Sequence, residues 1–280
     1  MAILCLAITL AWGIVLLQSA TAQDISWDRL ASGLAVTLWT PGAGCLGKVP
    51  ALLIVRVDPE RYRFATYHYR DEGLQAPITI QGWQARTRAS ILFNAGLFRK
   101  DYSYMGLLLK AGRSLGTKAH PKWKGLFVAE PLKPGARKAR VLDLAKEAFP
   151  LEPPLYLEAA QSLMLVDATG KTRVRQSEKR ARQTVVAEDI GGNILVIRTA
   201  SAVTLWELAV CLRDGLPNVR HAMLMDGGSS SDVVFSKSLA PPPDAGGQPP
   251  TWHSMVDGSG AGHIALPAVI GITPRGGRRR

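Results

Sequence analysis

Short segments rich in β-branched and aliphatic residues recur along the 280-residue chain, and many of them end at turn-forming residues. Segments of this length and composition, bounded by Gly, Pro, Asn or Asp, are typical of β-strands. They occur at 51–57, 63–69, 90–93, 106–110, 125–129, 162–166, 183–187, 194–198, 221–225, 232–235 and 268–272. The sequence therefore predicts a strand-dominated fold.

Helical patterns are fewer. In the segment 204–214, Thr204 and Glu207 have the spacing of a capping box, apolar residues follow on one face, and Gly215 comes directly after it. A second helical pattern covers 140–149 and stops at the Pro-rich run 149–154. Together the elements predict one α+β domain, with a mixed, mainly antiparallel sheet and helices packed on it.

The N-terminal 22 residues contain no Lys, Arg, Asp or Glu and include an apolar run at 3–17 followed by Ala20-Thr21-Ala22. This pattern is typical of a secretory signal peptide with a small-residue cleavage site, although an uncleaved anchor stays open because no basic residues precede the run. We expect a signal peptide at 1–22, a lead-in at 23–49, the main domain at 50–275 and a basic tail at 276–280. The product is then periplasmic or secreted, with no membrane span once the signal is removed.

Two cysteines, Cys45 and Cys211, follow the predicted signal peptide. An exported pair either forms a disulfide or remains as two thiols, and the sequence does not decide between these states. The histidines show no spacing typical of metal ligands, so we expect no histidine metal site and no cofactor, while a cation held by Asp226 and nearby oxygens stays open.

The chain carries a formal net charge of +12 at pH 7, all of it outside the predicted signal peptide. This charge favours an anionic partner. The basic residues lack the aromatic interleaving of a single-strand nucleic-acid groove. We therefore expect a phosphorylated saccharide or an envelope glycan as the partner, and not a nucleic acid.

The run Met223-Leu224-Met225-Asp226-Gly227-Gly228 places a carboxylate where an apolar strand stops. Consecutive glycines allow backbone N–H groups to converge on an anion, and three serines follow them. Asp-Gly between apolar runs is also a strong signal for a simple β-hairpin. The segment alone leaves both interpretations open, with the hairpin favoured.

Several segments, taken in order, resemble the phosphodiester glycosidase family, some of whose bacterial members are labelled exopolysaccharide-biosynthesis proteins. The resemblance covers roughly 50–275, and the helix followed by the Asp-Gly-Gly turn is its most specific part. The similar segments are Asn94-Ala95-Gly96-Leu97-Phe98, 106–112, Gln161-Ser162, 182–187, Thr204-Leu205-Trp206-Glu207-Leu208-Ala209 and 225–231.

This resemblance implies a hydrolase that cleaves the glycosidic bond of a sugar phosphodiester and releases free sugar. Asp226 is then the candidate carboxylate that activates water or stabilises charge on the sugar ring, and Glu188 is offered as a second carboxylate. Arg182 is the candidate phosphate clamp, joined by Arg180 if an extended backbone places both on one face. The expected substrate-binding residues are Asn94, Gly96, Arg180, Gly227, Gly228, Ser229 and Ser230.

The sequence departs from the family pattern at Ala95, Gln183, Glu188 and Ser229. Ser229 stands where a glycine is usual, and it would be strained if that position required a positive φ. A non-catalytic protein that binds an envelope glycan or exopolysaccharide with the same fold is therefore the alternative function.

Overall fold

The structure is a computed structural model that describes residues 25–42, 45, 47–239, 248–257 and 262–276. The predicted signal peptide at 1–22 lies outside the described residues. So do most of the basic tail and most of the Pro-rich segment 241–250. No helix in the described ranges combines the length and apolar character needed to cross a bilayer.

Strands dominate the described chain. Two helices interrupt them, α1 (Ile80–Thr87) and α2 (Leu205–Gly215). The strands are β1 (Asp28–Ala31), β2 (Leu34–Trp39), β3 (Leu52–Val57), β4 (Tyr62–His68), β5 (Ile91–Asn94), β6 (Leu108–Lys110), β7 (Arg113–Ser114), β8 (Gly125–Pro131), β9 (Ala139–Asp143), β10 (Tyr156–Ser162), β11 (Met164–Val166), β12 (Arg180–Ala181), β13 (Gln183–Asp189), β14 (Ile194–Thr199), β15 (Val203–Thr204), β16 (Val219–Gly227), β17 (Val233–Phe235) and β18 (Ala268–Pro274).

These strands form three main sheets and one short ribbon. The sheet orders are β1-β2-β3-β14-β13-β16-β11, β7-β6-β10-β8-β9 and β17-β5-β18-β4, with β12 and β15 paired separately. Every strand pair among the described residues is antiparallel. The antiparallel prediction is confirmed, whereas the expected mixed character is absent from this part of the chain.

One apolar cluster joins the three main sheets. It brings together Val55 and Val196 of the seven-stranded sheet, Phe127 of the five-stranded sheet, and Phe93 and Ile270 of the four-stranded sheet. The side chains of Val55, Val196 and Phe93 are fully buried. Because all three sheets share this core, their strand ends are held in fixed positions relative to one another.

Helix α2 covers the other face of the seven-stranded sheet, where Leu208 and Leu212 pack against Val185 and Leu224. Its capping box is formed as predicted: the Thr204 hydroxyl accepts the Glu207 N–H at 3.1 Å, and the Glu207 carboxylate accepts the Thr204 N–H at 3.2 Å. The helix predicted at 204–214 is confirmed.

The helix predicted at 140–149 is wrong. Val141 and Leu142 lie in β9, which pairs with β8, and a turn follows. Sheet pairing and burial outweigh the local helical pattern here. Helix α1 was not predicted, because its sequence buries only Ile80 and Trp83. With two short helices in the described chain, the expected layer of packed helices is not confirmed.

Cys45 and Cys211 form a disulfide that closes a loop of 166 residues. Both residues are buried in the apolar cluster beneath α2. The bond therefore links the lead-in segment to the helix. The sequence left open whether these cysteines form a disulfide or remain as two thiols, and the structure shows the disulfide.

Removing this bond in the double variant C45A/C211A is expected to lower the free energy of unfolding by about 2–4 kcal/mol, because the unfolded chain regains the entropy of a long loop. Urea denaturation monitored by circular dichroism measures the change. Reductant should lower the wild-type midpoint and leave that of the variant unchanged. Equal midpoints for both proteins under oxidising conditions would contradict the prediction.

Candidate active site

Asp226 lies one residue before the end of β16, at a point where the chain changes sheets. Strand β16 pairs with β13 and β11, whereas β17, which follows the turn, pairs with β5. The Asp-Gly-Gly sequence therefore does not close a hairpin, and that interpretation is wrong. The turn instead carries the chain from the seven-stranded sheet to the four-stranded sheet, with a short 3-10 turn at Gly228–Ser230.

The Asp226 carboxylate is buried and held at both oxygens. Oδ1 accepts the N–H of Gly227 at 2.7 Å, and Oδ2 accepts the Ser230 hydroxyl at 2.7 Å. Burial raises the pKa of Asp226 from 3.8 to about 6, against the opposing influence of the hydrogen bonds from Ser230 and Gly227 and of the charge of Lys179. A carboxyl group of this kind exchanges its proton close to neutral pH, as acid–base catalysis requires.

The two positions of the turn require glycine for different physical reasons. Gly228 has a φ of +81°, a conformation that favours glycine. A Cβ on Gly227 would collide with the side-chain oxygen of Gln183. Ser229 is exposed and has no positive φ. The serine at this position therefore carries no left-handed backbone strain, and its departure from the family pattern leaves the turn intact.

Arg182 lies between β12 and β13, and its carbonyl accepts the N–H of Gly228 at 2.8 Å. Its half-buried guanidinium makes no hydrogen bond or ion pair with the residues that the structure describes. It lies near Arg198, whose pKa is lowered by burial and by the charge of Arg182, with Asp232 acting in the opposite direction. The guanidinium of Arg198 thus contacts the segment after the turn through the Ser231 carbonyl, and Arg182 contacts the turn through its own carbonyl.

The side chains of Arg180 and Glu188 have other partners in the structure. Arg180 forms an ion pair with Glu207 at 3.0 Å, at the start of α2. Glu188 lies four residues from Thr184, which pairs with Asp226, along β13. Its fully buried carboxylate accepts hydrogen bonds from Arg137 at 2.6 Å and from the N–H of Val141 at 3.0 Å. We therefore leave both residues out of the proposed site.

Asn94 ends β5 and reaches the same turn from the four-stranded sheet. Its Oδ1 accepts the N–H of Asp232 at 3.1 Å, while its buried Nδ2 has no partner among the described residues. Two residues later, Gly96 has a φ of +147°, and a Cβ there would collide with the Tyr104 hydroxyl. Burial, together with the charge of Asp226, raises the pKa of the Tyr104 hydroxyl.

Sequence reasoning missed several polar residues around the turn: Thr184, Arg198, Ser231, Asp232 and His263. The Thr184 and Ser231 hydroxyls are 2.8 Å apart. Nε of Arg198 donates to the Ser231 carbonyl at 3.4 Å, and Nη1 donates to the Met255 carbonyl at 2.8 Å. Only Arg198 could have been noticed in the sequence, because it is a charged residue near the end of an otherwise apolar strand. His263 gave no such signal, because it meets Asp232 through a contact between two loops that are distant in the sequence.

The segment 226–232 is the common element of the site. Asp226 begins it, Gly228 contacts Arg182, and Asp232 contacts Asn94. Asn94, Arg182 and Asp226, which are far apart in the sequence, are thus gathered around one turn. The site combines a carboxyl group, an amide and two guanidinium groups, a set suited to a phosphorylated sugar.

Comparison with known proteins identifies one family. The profile of one protein family, described as phosphodiester glycosidase, matches residues 87–260. No curated protein shows significant similarity to the sequence.

The solved structures with similar folds include three from different organisms. A hypothetical protein from Synechocystis has a TM-score of 0.62 and 13% identity; the alignment covers 91% of this chain and 65%, slightly under two thirds, of that protein. The zebrafish N-acetylglucosamine-1-phosphodiester alpha-N-acetylglucosaminidase catalytic domain, auto-inhibited by its pro-peptide, has a TM-score of 0.58 and 14% identity over 91% of this chain and 85% of that one.

The third structure, a Burkholderia pseudomallei protein described as exported, has a TM-score of 0.50 and 13% identity over 80% of this chain and 74% of that protein. At these identities the structural likeness establishes the fold alone. The family profile covers more than half of the chain and includes Asn94, Arg182 and Asp226. The chain belongs to the phosphodiester glycosidase family.

Proposed function

We propose that this chain hydrolyses the glycosidic bond of a sugar 1-phosphodiester and releases the free sugar. The observation that carries the proposal is that Asp226, a buried carboxyl group held by Gly227 and Ser230, lies on a turn that is hydrogen-bonded to the backbone of Arg182, whose guanidinium is unpaired among the described residues. Membership of the phosphodiester glycosidase family supports the reaction type.

The proposed residues match the demands of this reaction. The bond between the anomeric carbon and the phosphate oxygen breaks, water supplies the new sugar hydroxyl, and the phosphate leaves as a monoester. Because that phosphate is already a stable anion, its departure requires cationic donors more than a strong acid. Arg182 and Arg198 supply the positive charge, while the Asp226 carboxylate accepts the proton of water or stabilises positive charge on the ring.

We propose a 1-phosphodiester of N-acetylglucosamine as the first substrate to test, since the zebrafish relative is named for that bond. An envelope exopolysaccharide or another phosphorylated glycan is the natural source that we propose. A periplasmic or secreted location is part of this proposal. It is supported by the Cys45–Cys211 disulfide, because such bonds persist in oxidising compartments.

The deciding experiment incubates the purified protein with such a diester in water labelled with heavy oxygen. Free sugar that carries the label is the expected result, because carbon–oxygen cleavage places the water oxygen on the sugar. Label in the phosphate would identify a phosphoesterase instead. Binding of several sugar phosphodiesters without release of sugar would favour the glycan-binding alternative.

Arg182→Lys is expected to raise KM for the diester roughly tenfold, because an ammonium group cannot hold two phosphate oxygens in the bidentate geometry of guanidinium. Initial-rate kinetics measure the change. Arg180→Lys is the matched control, since Arg180 is two residues away and paired with Glu207. Equal KM values for the two variants would remove Arg182 from phosphate binding.

A further inference from the structure

His263 forms a partly buried pair with Asp232 at the edge of the candidate site. Its Nδ1 is hydrogen-bonded to Oδ2 of Asp232. The side chains are 17% and 7% exposed, respectively. Because the carboxylate accepts this bond, Nδ1 carries a proton, and the ring orientation is fixed by the aspartate. His263 lies beyond the segment 87–260 that matches the family profile, so the family match does not account for it.

Asp232 holds a second side chain as well. Its N–H donates to Oδ1 of Asn94 at 3.1 Å, and its Oδ1 accepts the N–H of Val233 at 3.0 Å. Asp232 therefore orients both the amide of Asn94 and the imidazole of His263. It does so from the turn that also carries Asp226.

The outer nitrogens of both oriented side chains lack a partner. Nδ2 of Asn94 and Nε2 of His263 are buried and form no hydrogen bond with the part of the chain that the structure describes. Burying a polar atom without a partner is unfavourable, and such an atom in a well-packed protein calls for an explanation. Two such atoms, oriented by one aspartate, indicate that a ligand completes their hydrogen bonding.

The surrounding donors favour an anion as that ligand. The charges of Asp232 and Arg182 both act on the guanidinium of Arg198. The two guanidinium groups offset the carboxylates of Asp232 and Asp226, and the unpaired nitrogens of Asn94 and His263 are both able to donate. A cation would meet two arginines here, whereas a phosphate oxygen would meet donors.

We propose that His263 is a phosphate-binding residue of this site and that Asp232 is the residue that positions it. Nε2–H of His263 and Nδ2 of Asn94 donate to non-bridging oxygens of the substrate phosphate, next to the guanidinium of Arg182. The inference deepens the proposed function and rests on it for the identity of the phosphate as part of a sugar phosphodiester. It predicts that the site recognises a sugar 1-phosphate group even when no bond is cleaved.

The test therefore measures binding separately from turnover, with N-acetylglucosamine 1-phosphate as the probe in isothermal titration calorimetry. His263→Gln is expected to weaken binding roughly tenfold or more, because a charge-assisted hydrogen bond to phosphate is lost. In kinetics with the diester, the same variant should raise KM more than it lowers kcat. Asp232→Asn should act in the same direction, since the imidazole loses the carboxylate that orients it.

His253→Gln is the matched control. His253 also faces an aspartate, with Nδ1 3.8 Å from Asp257, but it lies on a separate 3-10 turn. This variant should bind the probe as the wild type does. Equal affinities for the His253 and His263 variants would overturn the inference.

A measurement on the wild-type protein keeps the test independent of any folding defect in the variants. In a nitrogen-15 NMR titration of labelled histidines, the probe should shift one Nε2 resonance, assigned through its loss in the His263 variant. Unshifted histidine resonances at saturating probe would also overturn the inference. If no diester is hydrolysed but probe binding depends on His263, the proposed function fails while the phosphate site stands.

Discussion

Asp226→Asn is expected to lower kcat for the sugar phosphodiester by at least about a thousandfold, and at the same time to raise the free energy of unfolding at neutral pH. The kinetic loss follows because asparagine can neither accept a proton from water nor place a negative charge beside the sugar ring. The gain in stability follows from burial, since the wild-type fold holds an ionised carboxylate in a poorly solvated position.

The direction of the pH dependence is fixed by the raised pKa of Asp226. The folded protein binds this proton more tightly than the unfolded chain, whose pKa is near 3.8. Stability from this group is fully present below pH of about 4 and is lost as pH rises through about 6. A shift of about two pKa units corresponds to roughly 3 kcal/mol, an upper limit for the gain in the variant because asparagine must keep the contacts to Gly227 and Ser230.

Urea denaturation at several pH values measures this difference. The wild type should lose stability between pH of about 4 and 7 relative to the variant, and the two should converge at the acidic end. Asp214→Asn is the control, since that carboxylate is exposed on α2 and paired with Arg213. A variant that is inactive and also less stable than the wild type at pH 8 would show that Asp226 is a structural residue.

The gathering of Asn94, Arg182 and Asp226 was predictable from the sequence because each follows or precedes a recognisable strand. Their order along the chain resembled one family. What the sequence could not give was the sheet order. Asp-Gly-Gly is locally a hairpin signal, yet β16 and β17 belong to different sheets, because the pairing of β17 with β5 is decided by packing across the core.

The same limit explains the residues that were missed. His263 meets Asp232 through contacts between loops that are 31 residues apart, and no local pattern marks such a pair. Arg180 pairs with Glu207 at the start of α2, a partner that alternation along a strand could not predict. Glu188 resembled a turn acid in sequence and is instead a fully buried ion-pair partner. Periodicity identifies strands, whereas side-chain partners depend on tertiary structure.

A second large effect is expected at Arg173, which joins two sheets far from the candidate site. Its Nη1 lies 2.8 Å from the Asp143 carboxylate, at the end of β9, and 3.1 Å from the Asp167 carboxylate, which follows β11. Both carboxylates are almost fully buried. Burial alone would raise the pKa of Asp167, but hydrogen bonds from Thr169, Lys171 and Arg173 outweigh it and hold the pKa well below its usual range.

Arg173→Met is expected to lower the free energy of unfolding by about 3 kcal/mol, the low end of the roughly 3–5 kcal/mol measured when one partner of a buried ion pair is removed. The lower end applies because the guanidinium is partly exposed, while the two carboxylates it leaves behind are not. Thermal and urea denaturation at pH 7 measure the loss.

The pH dependence gives this prediction its sharpest form. A carboxyl group with a lowered pKa stabilises the fold above the unfolded value and loses that contribution as pH falls toward the folded one. The wild type should therefore be destabilised by acid below pH of about 4, and the Met variant should show less of this dependence at Asp167. Arg213→Met, which removes an exposed pair with Asp214, should change stability by less than about 0.5 kcal/mol. If both variants lose equally little, the link between the five-stranded and seven-stranded sheets does not depend on Arg173, and the shared apolar core alone holds the strand ends that form the site.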